Sequence, residues 1–217
     1  MPRPARSHQP PLDRPRIPLL IILSGPSGAG KDMVLGRMKE VGFPLKYITT
    51  LTTRPRRPAE KDKVDYHFVT VKKFQEMRAN NELLEWAQVY GNWYGVPKKD
   101  VKRALDSGQD TIIKVDVQGA ATIKKLLPQA VFIFLRPPSM DDILLRLRQR
   151  QTESSADLAV RLKAVEGEIK QLYFFDYVVI NHWDEIDQAV SDIKAIITAE
   201  KCRVAPREIT WRVRKSV

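Results

Sequence analysis

Residues 25–32 read Gly-Pro-Ser-Gly-Ala-Gly-Lys-Asp, and this octapeptide restricts the chain to very few folds. Gly25, Gly30 and Lys31 fit the phosphate-binding loop pattern G-x-x-x-x-G-K-[ST], while Asp32 replaces its final hydroxyl. The apolar run Leu19-Leu20-Ile21-Ile22-Leu23 precedes it and suits a strand buried on both faces. Met33, Leu35, Met38 and Val41 follow at helical spacing. Strand, loop and helix in that order demand a parallel α/β sheet. The glycines let successive backbone N–H groups curl around phosphate oxygens at a helix N-terminus, whose dipole favours anions. Gly25, Pro26, Ser27, Gly28, Ala29, Gly30, Lys31 and Asp32 are therefore the expected site for a nucleoside triphosphate, with Lys31 reaching its β- and γ-phosphates. A glycine-rich turn that merely joins strand to helix is the alternative, and the lysine argues against it.

The remaining composition narrows the class. At 217 residues the chain suits one α/β domain with insertions. No apolar run approaches the ~20 residues of a membrane span. The Pro- and Arg-rich N-terminus lacks the apolar segment of a secretory signal. A lone cysteine, Cys202, excludes an internal disulfide and a cysteine-based metal site. A reducing cytoplasm is the expected location. The net charge of +11 invites a nucleic-acid reading, but its distribution does not support one. Residues 1–18 carry four arginines and one aspartate; residues 201–217 carry six lysines or arginines and one glutamate. The two ends thus hold +8 of the +11. Basic residues interleaved with aromatics are lacking, so no specific nucleic-acid partner is expected.

Residues 1–16 hold five prolines and are expected to be a disordered tail. Strand signals at Leu19–Ser24, Thr111–Asp116, Ala130–Leu135 and Tyr177–Ile180 alternate with helix signals at Lys31–Val41, Gln118–Leu127, Met140–Arg150 and Glu185–Glu200. Between residues 45 and 97 the rhythm changes. Tyr47–Thr50, Tyr66–Val69 and Leu83–Val89 read as short strands, with a helix near Val71–Asn80. The expected organisation is a P-loop NTPase three-layer core (17–44, 98–145, 166–201), an inserted α+β lobe (45–97) and a small lid (146–165). A basic C-terminal tail (202–217) follows.

With the P-loop, four further segments carry a specific resemblance: Thr52-Thr53-Arg54-Pro55-Arg56-Arg57, Leu84-Glu85-Trp86-Ala87, Gly91-Asn92-Trp93-Tyr94-Gly95 and Asp116-Val117-Gln118-Gly119. Together, and in this order, they resemble guanylate kinase from about Leu19 to Lys201. The resemblance implies transfer of a phosphoryl group from ATP, with Mg2+, to GMP. It assigns the GMP phosphate to Arg54, Arg57, Tyr66 and Tyr94; a basic turn such as Arg54–Arg57 would by itself read as a solvated surface. Guanine presents N1–H and N2–H side by side, which an acceptor-only carboxylate can take together. The resemblance gives this task to Glu85, with Asp116 as a second acidic contact and Thr50 as the hydroxyl for guanine O6. Nothing demands a ribose 2′-hydroxyl, so dGMP is an expected substrate too. Val96 departs from the family, which carries Ser or Thr there, and its lost hydroxyl should raise KM for GMP several-fold.

By the same resemblance Arg146, Arg150 and Arg161 are lid and lid-flanking arginines, the latter two on the transferring phosphoryl. Asn181 falls near the donor adenine. Asp32 stands where members carry a magnesium-holding hydroxyl, and Lys114 where they usually carry an acid. An unpaired carboxylate about 5 Å from a phosphate costs about 3 kcal/mol at an effective dielectric near 20. Asp32 is therefore expected to bind Mg2+, to pair with Lys114, or both; unrelated changes are the alternative. A catalytically impaired guanylate-kinase-like module that binds phosphorylated proteins is the competing function. Retention of Lys31, Arg150 and Arg161 argues against it.

Overall fold

Alternation along the central strands builds two apolar layers at once. In β1 (Leu20–Ser24), Leu20 and Ile22 point to one face while Ile21 and Leu23 point to the other, and all four are fully buried. The same alternation holds in β7 (Thr111–Lys114) and β8 (Val131–Arg136). A computed structural model describes residues 17–89, 91–149 and 163–211, with 147–149 described in backbone alone. Its five-stranded sheet runs β2-β7-β1-β8-β9, all parallel, where β2 is Lys46–Ile48 and β9 is Tyr177–Ile180. One face is covered by α3 (Lys98–Asp106) and α4 (Val117–Leu126), which supply Val101, Ala104, Leu105, Ala120 and Ile123. The other is covered by α1 (Lys31–Glu40) and a long C-terminal helix, α6 (Ile186–Lys201), through Val34, Met38, Ala189, Val190, Ile193 and Ile197. This is the three-layer parallel core expected of a P-loop protein.

A second sheet grows from the edge of the first. It has the order β4-β3-β6-β5, with β3 at Leu51–Thr52, β4 at His67–Phe68, β5 at Leu83–Val89 and β6 at Asn92–Pro97. Its own small core joins Leu51, Leu83 and Phe74, the last from α2 (Val71–Ala79), with Trp93 stacked on Phe74 at 5.9 Å. Gly95 permits this contact, since an added Cβ would lie 3.1 Å from both the Phe74 ring and Leu83. Leu84 and Val96 turn instead into the main core beside α3 and α4. Val96 is fully buried there, so the residue that departs from the family serves apolar packing.

The reading from the sequence needs four corrections in the described residues. Lys46–Ile48 belongs to the core sheet, where it pairs with β7, and not to the inserted lobe. Strand β6 and helix α3 were not anticipated. A helix start expected at residues 154–157 lies outside the described residues; the helical stretch 163–169 beyond it runs into a 3-10 turn at Lys170–Phe174. The chain beyond α6 also folds back on the core. Ile209 and Trp211 pack on its α3/α4 side, and Arg207 donates to the buried Glu200 carboxylate from Nε at 2.8 Å and Nη2 at 2.9 Å. No helix among the described residues is long and apolar enough to cross a membrane.

Candidate active site

The phosphate loop takes its shape from two approaches only glycine allows. Gly25 has φ 143°, and a Cβ there would fall 1.9 Å from the Leu135 carbonyl oxygen of β8. Gly30, at φ 88°, caps α1 and faces the Asn181 amide. Asn181 follows β9, is buried, and donates from Nδ2 to the Ala29 carbonyl at 2.8 Å. Arg146, on α5 (Met140–Gln149), donates from Nη2 to the Asn181 carbonyl at 2.7 Å and from Nη1 to Ala29 O at 3.4 Å. Both side chains thus brace the rim of the loop, and neither lines the cleft in front of it. Lys31 bends back across the loop, its Nζ donating to Gly25 O at 2.6 Å and Pro26 O at 3.1 Å. Burial pulls its pKa down, and the carboxylates of Glu168, Asp32 and Asp116 act in the opposite sense.

One cleft runs from this loop to the second sheet, and most of the residues expected in a nucleotide site line it. They include Lys31, Asp32, Thr50, Arg54, Arg57, Tyr66, Glu85, Tyr94 and Asp116. On the lobe side the arginine turn is held by Glu60. Its Oε1 accepts from Arg54 Nη2 at 2.7 Å, and its Oε2 accepts the Arg57 backbone N–H at 2.9 Å. Arg54 also lies 5.6 Å from the Tyr66 ring, which meets Tyr94 edge-on at 6.1 Å. Against the cost of burial, Glu60 and Tyr94 hold the Arg54 guanidinium above its ordinary pKa. Two phenols and two guanidiniums face one pocket, a set suited to phosphate oxygens.

Deeper in the cleft stand the acids. Glu85 on β5 is 2% exposed, and Thr50 is 5% exposed. Asp116 caps α4, accepting the Gly119 N–H at 2.9 Å. A Cβ on Gly119 would lie 2.9 Å from Glu85 Oε2 and 3.0 Å from Asp116 Oδ1, so the two carboxylates converge on one glycine. Burial raises the pKa of Asp116, although the Gly119 N–H and Lys31 oppose the rise.

Glu168, in the stretch 163–169, is a lining residue the sequence reading missed. It accepts the Ser27 backbone N–H, and burial raises its pKa. Only the apolar spacing of Val165 and Ile169, which pack with Ile143, hints that this face turns inward. Arg150 and Arg161 lie outside the described residues. Asp32 and Lys114 are brought together: the Lys114 ammonium donates to Asp32 Oδ1.

The guanylate kinase family model matches residues 18–200. A guanylate kinase of Carboxydothermus hydrogenoformans is 41% identical over 195 residues, 90% of this chain and 94% of that one. One of Desulfitobacterium hafniense is 44% identical over 186 residues, 86% of this chain and 92% of its own. The crystal structure of guanylate kinase from Anaplasma phagocytophilum superposes with a TM-score of 0.71 at 31% identity, covering 88% of this chain and 89% of that one. With the phosphate loop, the arginine turn and the paired acids in a single cleft, this chain belongs to the guanylate kinase family.

Proposed function

We propose that the chain transfers the γ-phosphoryl group of ATP to GMP, and to dGMP, giving ADP and GDP or dGDP. The carrying observation is the convergence of Glu85 and Asp116 on Gly119 in the cleft that the phosphate loop opens. Two acceptor-only groups match the adjacent N1–H and N2–H of guanine, while adenine would set its N1 lone pair against them. A buried polar site of this kind rejects the wrong base because its groups would be left unpaired.

Phosphoryl transfer asks the protein mainly to align its substrates and to neutralise charge. The loop N–H groups and Lys31 serve the donor phosphates. Lys31 leaves the Gly25 and Pro26 carbonyls to do so, and the phosphates favour its charged form. Arg54, Arg57, Tyr66 and Tyr94 serve the acceptor phosphate, and Arg150 and Arg161 serve the transferring group. Asn181 and Arg146 act by holding the loop that presents the N–H groups.

The metal that accompanies ATP fits this site in a limited way. Among the described residues no three His, Cys, Asp or Glu side chains form a cage. Mg2+ bound chiefly by phosphates and water needs only one or two carboxylates, and Asp32 in the first turn of α1 supplies one. Bound there, the metal would neutralise phosphate charge. A cytoplasmic location accords with the single cysteine, Cys202.

Glu85→Gln tests the base site. It exchanges an acceptor for a donor in front of guanine, and kcat/KM for GMP should fall about tenfold to a hundredfold, from the loss of a charged hydrogen bond. ATP affinity, measured by direct binding, should stay unchanged. Unaltered GMP kinetics would remove Glu85 from the base site.

A further inference from the structure

Lys114 closes β7 at the strand end that opens into the cleft, where the family resemblance leads one to expect an acid. Its side chain is 12% exposed, against 70% for its partner Asp32. The ammonium touches Asp32 Oδ1 and also lies 4.1 Å from the centroid of the Tyr66 ring. One nitrogen therefore joins the first turn of α1 on the donor side to the tyrosine beside the arginine turn on the acceptor side. Lys31, Lys114, Arg54 and Arg57 all line the cleft, so positive charge continues from the phosphate loop to the acceptor lobe.

We propose that Lys114 is a phosphate ligand of the transfer site, held between Asp32 and Tyr66 in the free protein and passed to phosphate oxygens when nucleotide binds. The exchange follows from the partners. A solvent-exposed carboxylate holds an ammonium weakly, whereas a phosphate offers up to two charges and several acceptor oxygens. The Tyr66 ring holds the ammonium beside the position that the arginine turn gives to the GMP phosphate, since its face favours a cation. No bond is made or broken at Lys114; it supplies charge and position.

This inference rests on the ATP:GMP reading, and one experiment separates the two. GMP affinity is measured by calorimetry without ATP or metal, and steady-state kinetics with MgATP and GMP are measured alongside. The proteins are wild type, Lys114→Met, Lys114→Gln and Lys114→Arg, each with its melting temperature. The neutral variants should bind GMP about tenfold more weakly and lose a further tenfold in kcat, with Lys114→Arg restoring most of both. Lys114→Gln gives the answer should Lys114→Met fail to fold. Neutral variants within twofold of an active wild type in both quantities would overturn the proposal and leave Lys114 as a structural partner of Asp32. A wild type that neither binds nor phosphorylates GMP would overturn the underlying reading, and the proposal with it.

Discussion

Asp116 does two things with one carboxylate. It caps α4 through the Gly119 N–H and converges with Glu85 on that glycine, at the proposed base site. Because burial raises its pKa, the sign of its pH effect is fixed. An acid whose folded pKa is raised binds protons more readily folded than unfolded, so its contribution to stability is lost as pH rises through that window. GMP needs the opposite form, the acceptor. The kcat/KM for GMP should therefore fall on acidification from a midpoint above the ordinary aspartate value near 4. The GMP phosphate titrates near 6 on its own account. Asp116→Asn separates the two: subtracting its pH profile from wild type isolates the carboxylate, and identical profiles would show that Asp116 does not read guanine. Lys31 is legible from the phosphate-loop pattern itself, whereas Asp116, Glu85 and Arg54 are legible through the family resemblance that their segments carry. Glu168 carries no such motif. Asn181 was legible as a position but not as a support, since its partner, the Ala29 carbonyl, is 152 residues away.

At the scale of elements, the strands of the core were legible wherever burial on both faces produces unbroken apolar runs. Strand β6 escaped because Asn92–Pro97 contains Gly95 and ends in proline, residues that ordinarily mark turns. Helix α3 escaped because six of its nine residues are charged, leaving only Val101, Ala104 and Leu105 to face the core. Strand β2 was read as lobe because its three residues say nothing about which sheet they join; the β7 edge decides that. The lobe has a core of its own, which makes it separable in energy from the phosphate loop. Phe74→Ala should cost about 3–5 kcal/mol at that small core. GMP affinity should drop at least tenfold while ATP affinity, read by direct binding, holds within twofold. Equal losses for both nucleotides would mean that lobe and core respond as one body.

Across the whole molecule, the chain after α6 closes the fold on one side. The Glu200 side chain is fully buried, and it accepts from Arg207 and from the Tyr177 hydroxyl at 2.7 Å. Arg207 also reaches the Ala130 carbonyl and Asp176. Removing one partner of a buried ion pair costs about 3–5 kcal/mol. Ending the chain after Lys201 should therefore lower the melting temperature by roughly 10 °C, at ~2–4 °C per kcal/mol for a domain of this size. Ending it after Trp211 should leave the temperature within about 2 °C, because the Arg207, Ile209 and Trp211 contacts survive. Against the cost of burial, Arg207 and Tyr177 hold the Glu200 pKa low. The stability from this pair is present above the unfolded glutamate pKa and lost as pH falls through the folded value, so the gap between the truncations should narrow in acid.

One cleft runs from the phosphate loop to the proposed base site, which is expected to accept guanine and refuse other bases. ADP release with MgATP against GMP, AMP, CMP and UMP in turn measures that selectivity. Turnover is predicted with GMP, with kcat/KM at least a thousandfold lower for the other three, as expected when buried polar groups are left unpaired. Absence of turnover with GMP, or comparable rates with AMP, would contradict it.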